Sequence, residues 1–374
     1  MKRPTLAFVV ESGTDVRLVD GLAEHFVLTV LARTIPGGRA INWPPASDAQ
    51  VVTGPAGRLA FARWAAAEVR RRAMERTLVQ GYGLAALAVN EAVGGAIMLV
   101  CSPIERYYRA RRAARMPGMP YRPWELLAIQ LVARANARLG ARYVVLSEHL
   151  AEVVAAHGRL PAHVVPVYGV DTARFTPVTA RERTALRAHL GLPADRPVIF
   201  FSSRIAPEKD APTLLAACRA LVDAGRPFTL LHLSGGWRAF AAEAHAAGLG
   251  DHLIARDAVH PARELPSWYQ ASDLCVQASR EEGLGFSALE ALACGIPVVA
   301  SAVGGLTETV RDGDTGWTYA AGNVPGLERA LAEALDDPRE AARRAGRGRA
   351  MVERHYAARR VFADFAALVN GTVA

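Results

Sequence analysis

Two loops of the sequence carry side chains whose type and spacing suit chemistry on a phosphate-bearing ligand. In "SRIAPEKDAPTLL" (203–215), Arg204 and Lys209 stand five residues apart, and Lys209 directly precedes a helix whose expected N-cap is Asp210, with Pro212 in the first turn. Two cations at a helix N-terminus favour a diphosphate, because the amides and the helix dipole add to their charge. The competing reading is a surface ion-pair network through Glu208 and Asp210. In "REEGLGFSALEALACG" (280–295), Glu282 and Glu290 flank a turn in which Gly283 and Gly285 let the backbone come close to a ligand, and a helix is expected from Ser287 to Cys294. The amides of Gly285, Phe286 and Ser287 would then point beyond the sheet. A carboxylate such as Glu290 is a usual partner for ribose hydroxyls. Ser287-x-x-Glu290 equally spells a capping box, with Glu290 bonded back to the Ser287 amide. Both readings of Glu290 stand at this level.

Composition sharpens one of these positions. Of 44 basic residues only Lys2 and Lys209 are lysines, so Lys209 is the one internal exception to a strong bias towards arginine. A compact ammonium is not interchangeable with a guanidinium, which points to a site with room only for lysine. Other patterns carry less. "DGD" (312–314) has the form of a metal motif, but "RDGDTGW" has the composition of a tight turn. "ESGTD" (11–15) has a single glycine, so a GxGxxG dinucleotide fingerprint is absent. No HExxH, HxxxH or GxSxG is present, which removes metalloprotease and hydrolase readings.

The elements that must position these loops alternate strand and helix. "TLAFVV" (5–10), a helix over Val16–His25 and "FVLTVLA" (26–32) make a βαβ start. "TLVQ" (77–80), the apolar "GYGLAALAVNEAV" (81–93) and "AIMLV" (96–100) repeat it, and a helix near 124–138 leads to "YVVLS" (143–147). The pattern breaks at "VVPVYGVDTARFTP" (164–177), which reads as a linker, and restarts with "VIFFS", "FTLLHLS", "LIARDAV", "DLCVQAS" and "PVVAS". Unbroken apolar strands alternating with helices imply two parallel, doubly wound sheets. "RRVFADFAALVN" (359–370) is a terminal helix with no strand after it.

A length of 374 residues suggests two domains, and 51% hydrophobic with 21% charged residues fits a folded chain. The apolar run near the N-terminus ends at Glu11, too short for a signal segment, and no stretch reaches the roughly 20 apolar residues of a membrane span. A cytoplasmic protein is expected. Cys101, Cys218, Cys275 and Cys294 are scattered among apolar neighbours, as buried thiols are, with neither disulfides nor zinc expected. Residues 1–167 carry a net charge of +9 and residues 168–374 one of −1. The basic clusters "RRR" (70–72) and "RYYRARRAAR" (106–115) are solvated helix faces or face an anionic acceptor or the inner face of a membrane. No nucleic-acid module is recognisable, so nucleic acid is not an expected partner.

With these residues in view the chain resembles the retaining glycosyltransferases of the GT-B fold, specifically glycosyltransferase family 4. The resemblance rests on "SRIAPEKD", "ASREEGLGFSALEALACGIPVVAS", "VGGLTETVRDGDTGW" and the linker "PVYGVDTARFTP", in that order over most of residues 164–320. It implies two facing Rossmann-like, doubly wound domains with a cleft between them. The acceptor domain would be 1–167 plus the C-terminal helix 355–374, and the nucleotide-sugar donor domain 168–354. It further implies that Arg204 and Lys209 hold the donor diphosphate, Glu290 the ribose, and Glu282 the face of the transferred sugar. The amides of Gly285, Phe286 and Ser287 would meet phosphate or sugar, and Gly13 would form a turn under the donor. No metal or separate cofactor is implied, the nucleoside-diphosphate sugar (UDP or GDP type) being a substrate. The acceptor, unidentified, would be a small natural product, a lipid carrier or a growing glycan, and the basic surplus of residues 1–167 favours an anionic or membrane-borne one. The chain departs from the family pattern at "VCSPIERYY" (100–108), where Cys101 and Ser102 stand in place of a usual histidine, and at Tyr168, where the linker usually has asparagine. The alternatives are a GT-B nucleotide-sugar epimerase and a non-catalytic, two-lobed polyanion-binding protein.

Overall fold

The structure, a computed structural model, describes residues 3–113, 123–157 and 162–371. The chain passes between two compact units at Gly169–Val170 and again at Ala357–Ala358. In the first unit lie β1 (Thr5–Val10), β2 (Val27–Arg33), β3 (Gln50–Gly54), β4 (Arg76–Gln80), β5 (Ile97–Val100), β6 (Arg142–Val145) and β7 (Ala162–Val164). They form one parallel sheet in the order β3-β2-β1-β4-β5-β6-β7. In the second lie β8 (Val198–Phe201), β9 (Thr229–Leu233), β10 (Leu253–Arg256), β11 (Leu274–Gln277), β12 (Val298–Ser301) and β13 (Trp317–Tyr319). Their order is β10-β9-β8-β11-β12-β13, again parallel.

Both sheets are doubly wound: the strand order reverses between β1 and β4 in one and between β8 and β11 in the other. The central strands are buried on both faces, as their unbroken apolar runs require. Three strands have no counterpart in the pattern reading: β3, β7 and β13, each an edge strand of three to five residues. Edge strands need not be buried on both faces, and β3 is exposed or half-exposed at all but its last residue, Gly54. In the second core the ring of His232 lies against Phe201 and Phe240, bonded to the Phe201 carbonyl (2.9 Å) and the Ser234 hydroxyl (2.8 Å). Burial lowers its pKa to about 4, so it remains a neutral part of the core at physiological pH.

The terminal helix Ala358–Asn370 belongs to the first unit and packs on the helix Val16–His25. Gly21 makes this possible, because a Cβ there would lie 2.1 Å from the ring of Phe362. Arg76 fastens the far end by donating to the carbonyls of Val369 (3.0 Å) and Asn370 (3.3 Å).

The basic run 70–72 closes the helix Arg58–Arg72, where cations meet the negative end of the dipole. Arg71 and Arg72 bond Glu68 at 2.7 and 2.9 Å, which brings its carboxyl down to about 2, and Arg70 donates to the Ala92 carbonyl. This cluster is therefore largely spent within the fold. Residues 114 and 115 of the second basic run lie outside the described residues. Among the described residues no helix is long and apolar enough to cross a membrane. Cys218, Cys275 and Cys294 are buried free thiols; Cys101, expected to be buried too, is only half-buried, because it lies in the loop past β5, 3.7 Å from the Tyr168 hydroxyl.

Candidate functional site

In an open parallel sheet, ligands bind beyond the carboxyl ends of the strands where the order reverses. In the second unit that place lies between β8 and β11, and the two loops singled out by sequence are those that follow these strands. Lys209 ends a short 3-10 turn, Pro207–Lys209, and its ammonium pairs with the Glu282 carboxylate 73 residues on. Both side chains are largely enclosed, at 13% and 12% exposure. The Glu282 carboxylate also accepts from Ser279 Oγ and from the Gly283 amide, each at 3.3 Å. Arg204 pairs with the fully buried Glu208 at 3.0 Å while 67% of its own side chain stays exposed. Each cation of the first loop is thus held in an ion pair. One face of each arginine or lysine is engaged within the protein, and the exposed guanidinium of Arg204 remains accessible to an anion.

Two local expectations change. Asp210 stands at the N-cap of the helix Ala211–Asp223 but makes no side-chain cap, because its backbone is left-handed and its carboxylate turns to Thr213 Oγ1 (2.7 Å). The capping box at Ser287 does not form either. The helix begins one residue earlier, Phe286–Ala293, with Gly285 as N-cap at φ +91°, and the Ser287 hydroxyl donates to the Ser202 carbonyl past β8 (2.7 Å). Ser287 thus ties the two loops together. Glu290 falls a full turn in, 3% exposed, and accepts from the Tyr269 hydroxyl at 2.9 Å. Burial, then the Glu290 charge, push that hydroxyl well above its ordinary pKa, so it stays a donor.

The burial of Glu290 alters how its role is to be measured. Glu290→Ala would empty a buried position and remove an acceptor from Tyr269, costing about 1–3 kcal/mol whatever else Glu290 does. Glu290→Gln keeps an acceptor oxygen for Tyr269. Its melting temperature is expected within a few degrees of wild type, with nucleotide affinity about tenfold lower by calorimetry if Glu290 binds ribose. Wild-type affinity in Glu290→Gln would leave Glu290 a packing residue.

Glycines set the approach of a third loop. A Cβ on Gly305 would lie 2.2 Å from the Gly283 carbonyl oxygen, and the Gly305 amide donates to the Glu282 carbonyl at 3.0 Å. A Cβ on Gly285 would lie 2.4 Å from Leu306. The loop past β12 therefore rests directly on the turn that carries Glu282.

Gly13 lies in the first unit, past β1, at φ +104°, with its carbonyl bonded by Gln80 Nε2 at 3.2 Å. The same edge of that sheet holds a buried cluster that pattern reading reached only in part. Tyr82, past β4, donates to Glu105, past β5, and His157 Nε2 lies 2.5 Å from the other Glu105 oxygen. His157 carries no local signal, since its partner is 52 residues away. Burial alone would push the Glu105 carboxyl up, but hydrogen bonds from His157 and Tyr82 outweigh it and the net shift is downward. A depressed carboxyl stabilises the fold above its ordinary pKa, and that contribution is lost as pH falls through the lowered value. The stability gap between wild type and Glu105→Gln is therefore expected to be full near neutrality and to shrink below about pH 4 in urea titrations. A gap independent of pH would show that Glu105 is not held as a carboxylate. Cys101, nearby in sequence, has its thiol pushed up to about 12 by burial and is no nucleophile at neutral pH.

The "DGD" run is a turn: Asp312 pairs with Arg344 and Asp314 with Arg347. Among the described residues no three His, Cys, Asp or Glu side chains are grouped to hold a metal ion.

Residues 182–351 match the family described as "Glycosyl transferases group 1", a range that holds Arg204, Lys209, Glu282 and Glu290. The matched segment is a little under half of the chain. D-inositol 3-phosphate glycosyltransferase of Xylanimonas cellulosilytica is 38% identical over 215 residues, 54% of this chain and 50% of that protein. The GDP-mannose-dependent alpha-(1-6)-phosphatidylinositol monomannoside mannosyltransferase of Mycolicibacterium smegmatis is 38% identical over 193 residues, 48% of each chain. The chain thus spans about half the length of the curated relatives it matches. Among solved structures, sucrose-phosphate synthase from Thermosynechococcus elongatus superposes with a TM-score of 0.81 over 99% of both chains at 22% identity. That likeness shows the fold alone, and with the two parallel sheets the fold is GT-B.

Proposed function

We propose that the protein is a retaining, metal-independent glycosyltransferase of the family 4 type, moving a hexose-like sugar from a UDP- or GDP-sugar to an acceptor hydroxyl or other nucleophile. The observation that carries this reading is the Lys209–Glu282 ion pair between the loops past β8 and β11, with the exposed Arg204 paired to Glu208 on the first of those loops, within the matched segment. Arg204 and Lys209 take the donor diphosphate, and the incoming anion shares Lys209 with Glu282, which faces the transferred sugar. Glu290 takes the ribose, and the amides of Gly285, Phe286 and Ser287 meet phosphate or sugar. Gly13 is assigned a turn under the donor.

On this reading the donor-binding domain is 168–354, and the acceptor domain is 1–167 with 355–374. During transfer the bond from the anomeric carbon to the phosphate oxygen breaks and a bond to the acceptor oxygen forms on the same face. The acceptor proton passes to the leaving phosphate oxygen. No protein nucleophile is needed; the cations stabilise charge that grows on the diphosphate, and the loops hold the reactants aligned. The arginine surplus of residues 1–167 suits an anionic or lipid-linked acceptor met at the inner face of a membrane. The names of the relatives, which include inositol 3-phosphate and a phosphatidylinositol mannoside, point the same way.

The test is to incubate the protein with UDP-glucose or GDP-mannose and D-inositol 3-phosphate or phosphatidylinositol vesicles, and to read the anomeric coupling of any product by NMR. A product with the donor's configuration supports the proposal; an inverted product refutes retention. Sugar isomerisation without acceptor would favour the epimerase. Indifference to every nucleotide, with salt-sensitive binding of polyanions, would favour the binding protein.

A further inference from the structure

Three consecutive residues, Glu208, Lys209 and Asp210, each face an opposite charge, on Arg204, Glu282 and Arg280 respectively. Asp210 is the unusual member. Its backbone sits at φ 50° and ψ 48°, and among the described residues only Ala73 is another non-glycine at positive φ. Glycine would take that conformation with less strain, so the aspartate is retained at a local cost. Its side chain is 1% exposed and does not cap the following helix. It accepts from Thr213 Oγ1 at 2.7 Å and lies 2.9 Å from Arg280 Nε, at an angle that makes an ion pair rather than a directed hydrogen bond.

Arg280 is held at both ends. Its amide donates to the Glu208 carbonyl at 2.8 Å, and its guanidinium lies over Gly322, where a Cβ would come within 3.1 Å. Lys209 is therefore bracketed: the residue before it and the residue after it both bind Arg280, while its own ammonium reaches Glu282, two residues further along the same loop. We propose that Asp210 and Arg280 form a positioning pair for the diphosphate site. The pair sets the register of the loops past β8 and β11, and it keeps the Arg280 charge away from Glu282, so that Lys209 is the cation presented there. This inference rests on Arg204 and Lys209 being the diphosphate cations.

The test uses UDP and GDP, each titrated by calorimetry into the full-length wild type and into Asp210→Gly, Arg280→Met, the double variant and Lys209→Ala, with melting temperatures measured alongside. Asp210→Gly suits the left-handed backbone and removes the acidic side chain without straining the turn, so it carries the test if Arg280→Met fails to fold. The expected result is affinity about tenfold weaker in each single variant, melting within a few degrees of wild type, and a double variant no weaker than the poorer single, because the two act as one unit. Binding within twofold of wild type in Asp210→Gly, with binding lost in Lys209→Ala, would overturn the inference and leave the diphosphate reading standing. Wild-type binding in Lys209→Ala, or no binding of either nucleotide by the wild type, would overturn both.

Discussion

Replacing Lys209 with alanine is expected to cut by half or more the thermal stabilisation that UDP or GDP gives the wild type, and to lower sugar transfer by about 10²–10³-fold. A ligand at about 100 times its dissociation constant adds roughly 2.7 kcal/mol, which raises melting by about 5–10 °C in a domain of this size. Loss of one charge-assisted contact removes about 1.5–3 kcal/mol of that. The residual shift should be about 1–5 °C. The variant should still fold, since Glu282 keeps Ser279 Oγ and the Gly283 amide as partners. Lys209→Arg should rescue little, because the pocket beside Glu282 encloses a compact ammonium, not a planar fork. An unchanged nucleotide shift in Lys209→Ala would remove the diphosphate from this site.

Gly305→Ala is expected to lose both stability and transfer. The added carbon would sit 2.2 Å from the Gly283 carbonyl and 2.6 Å from Leu284 Cα, backbone atoms that cannot swing aside as a side chain could. Relief requires the loop past β12 to lift off the turn carrying Glu282, at a cost of about 1–3 kcal/mol. A displacement near 1 Å at Glu282 would lower transfer by about 10²-fold, more than lost stability accounts for. Gly346→Ala, a helical position with open space around the new carbon, is the control and should be neutral or slightly stabilising. Urea unfolding and transfer rates on the two variants decide the matter: a stable Gly305→Ala enzyme with wild-type rates would show that the glycine contact is slack.

The fold was legible where local signals agreed. Thr5–Val10 follows directly from an unbroken apolar run, and the helix Val16–His25 lies where the pattern put it. What escaped was non-local. Nothing near Ser287 shows that its hydroxyl reaches Ser202, 85 residues away, so a sequence with perfect capping-box spacing folds without one. The same holds for Asp210 with Arg280 and for Glu105 with His157, whose partners are fixed by which strands become neighbours. The lone internal lysine was informative because a compositional bias made it conspicuous, independently of any contact.

The terminal helix has a consequence for the order in which the protein is made. The seven strands of the first unit are all synthesised by Val164, yet Phe362 and the carbonyls held by Arg76 come only at the end of the chain. The second unit is complete at Ala357, so vectorial synthesis finishes the C-terminal unit before the N-terminal one. At about 5–20 residues per second, the face of Val16–His25 waits ~10–40 s for its cover after its own sheet has emerged. A nascent chain whose Ala357 has just cleared the ribosomal exit tunnel would thus carry one finished unit and one still open to a chaperone.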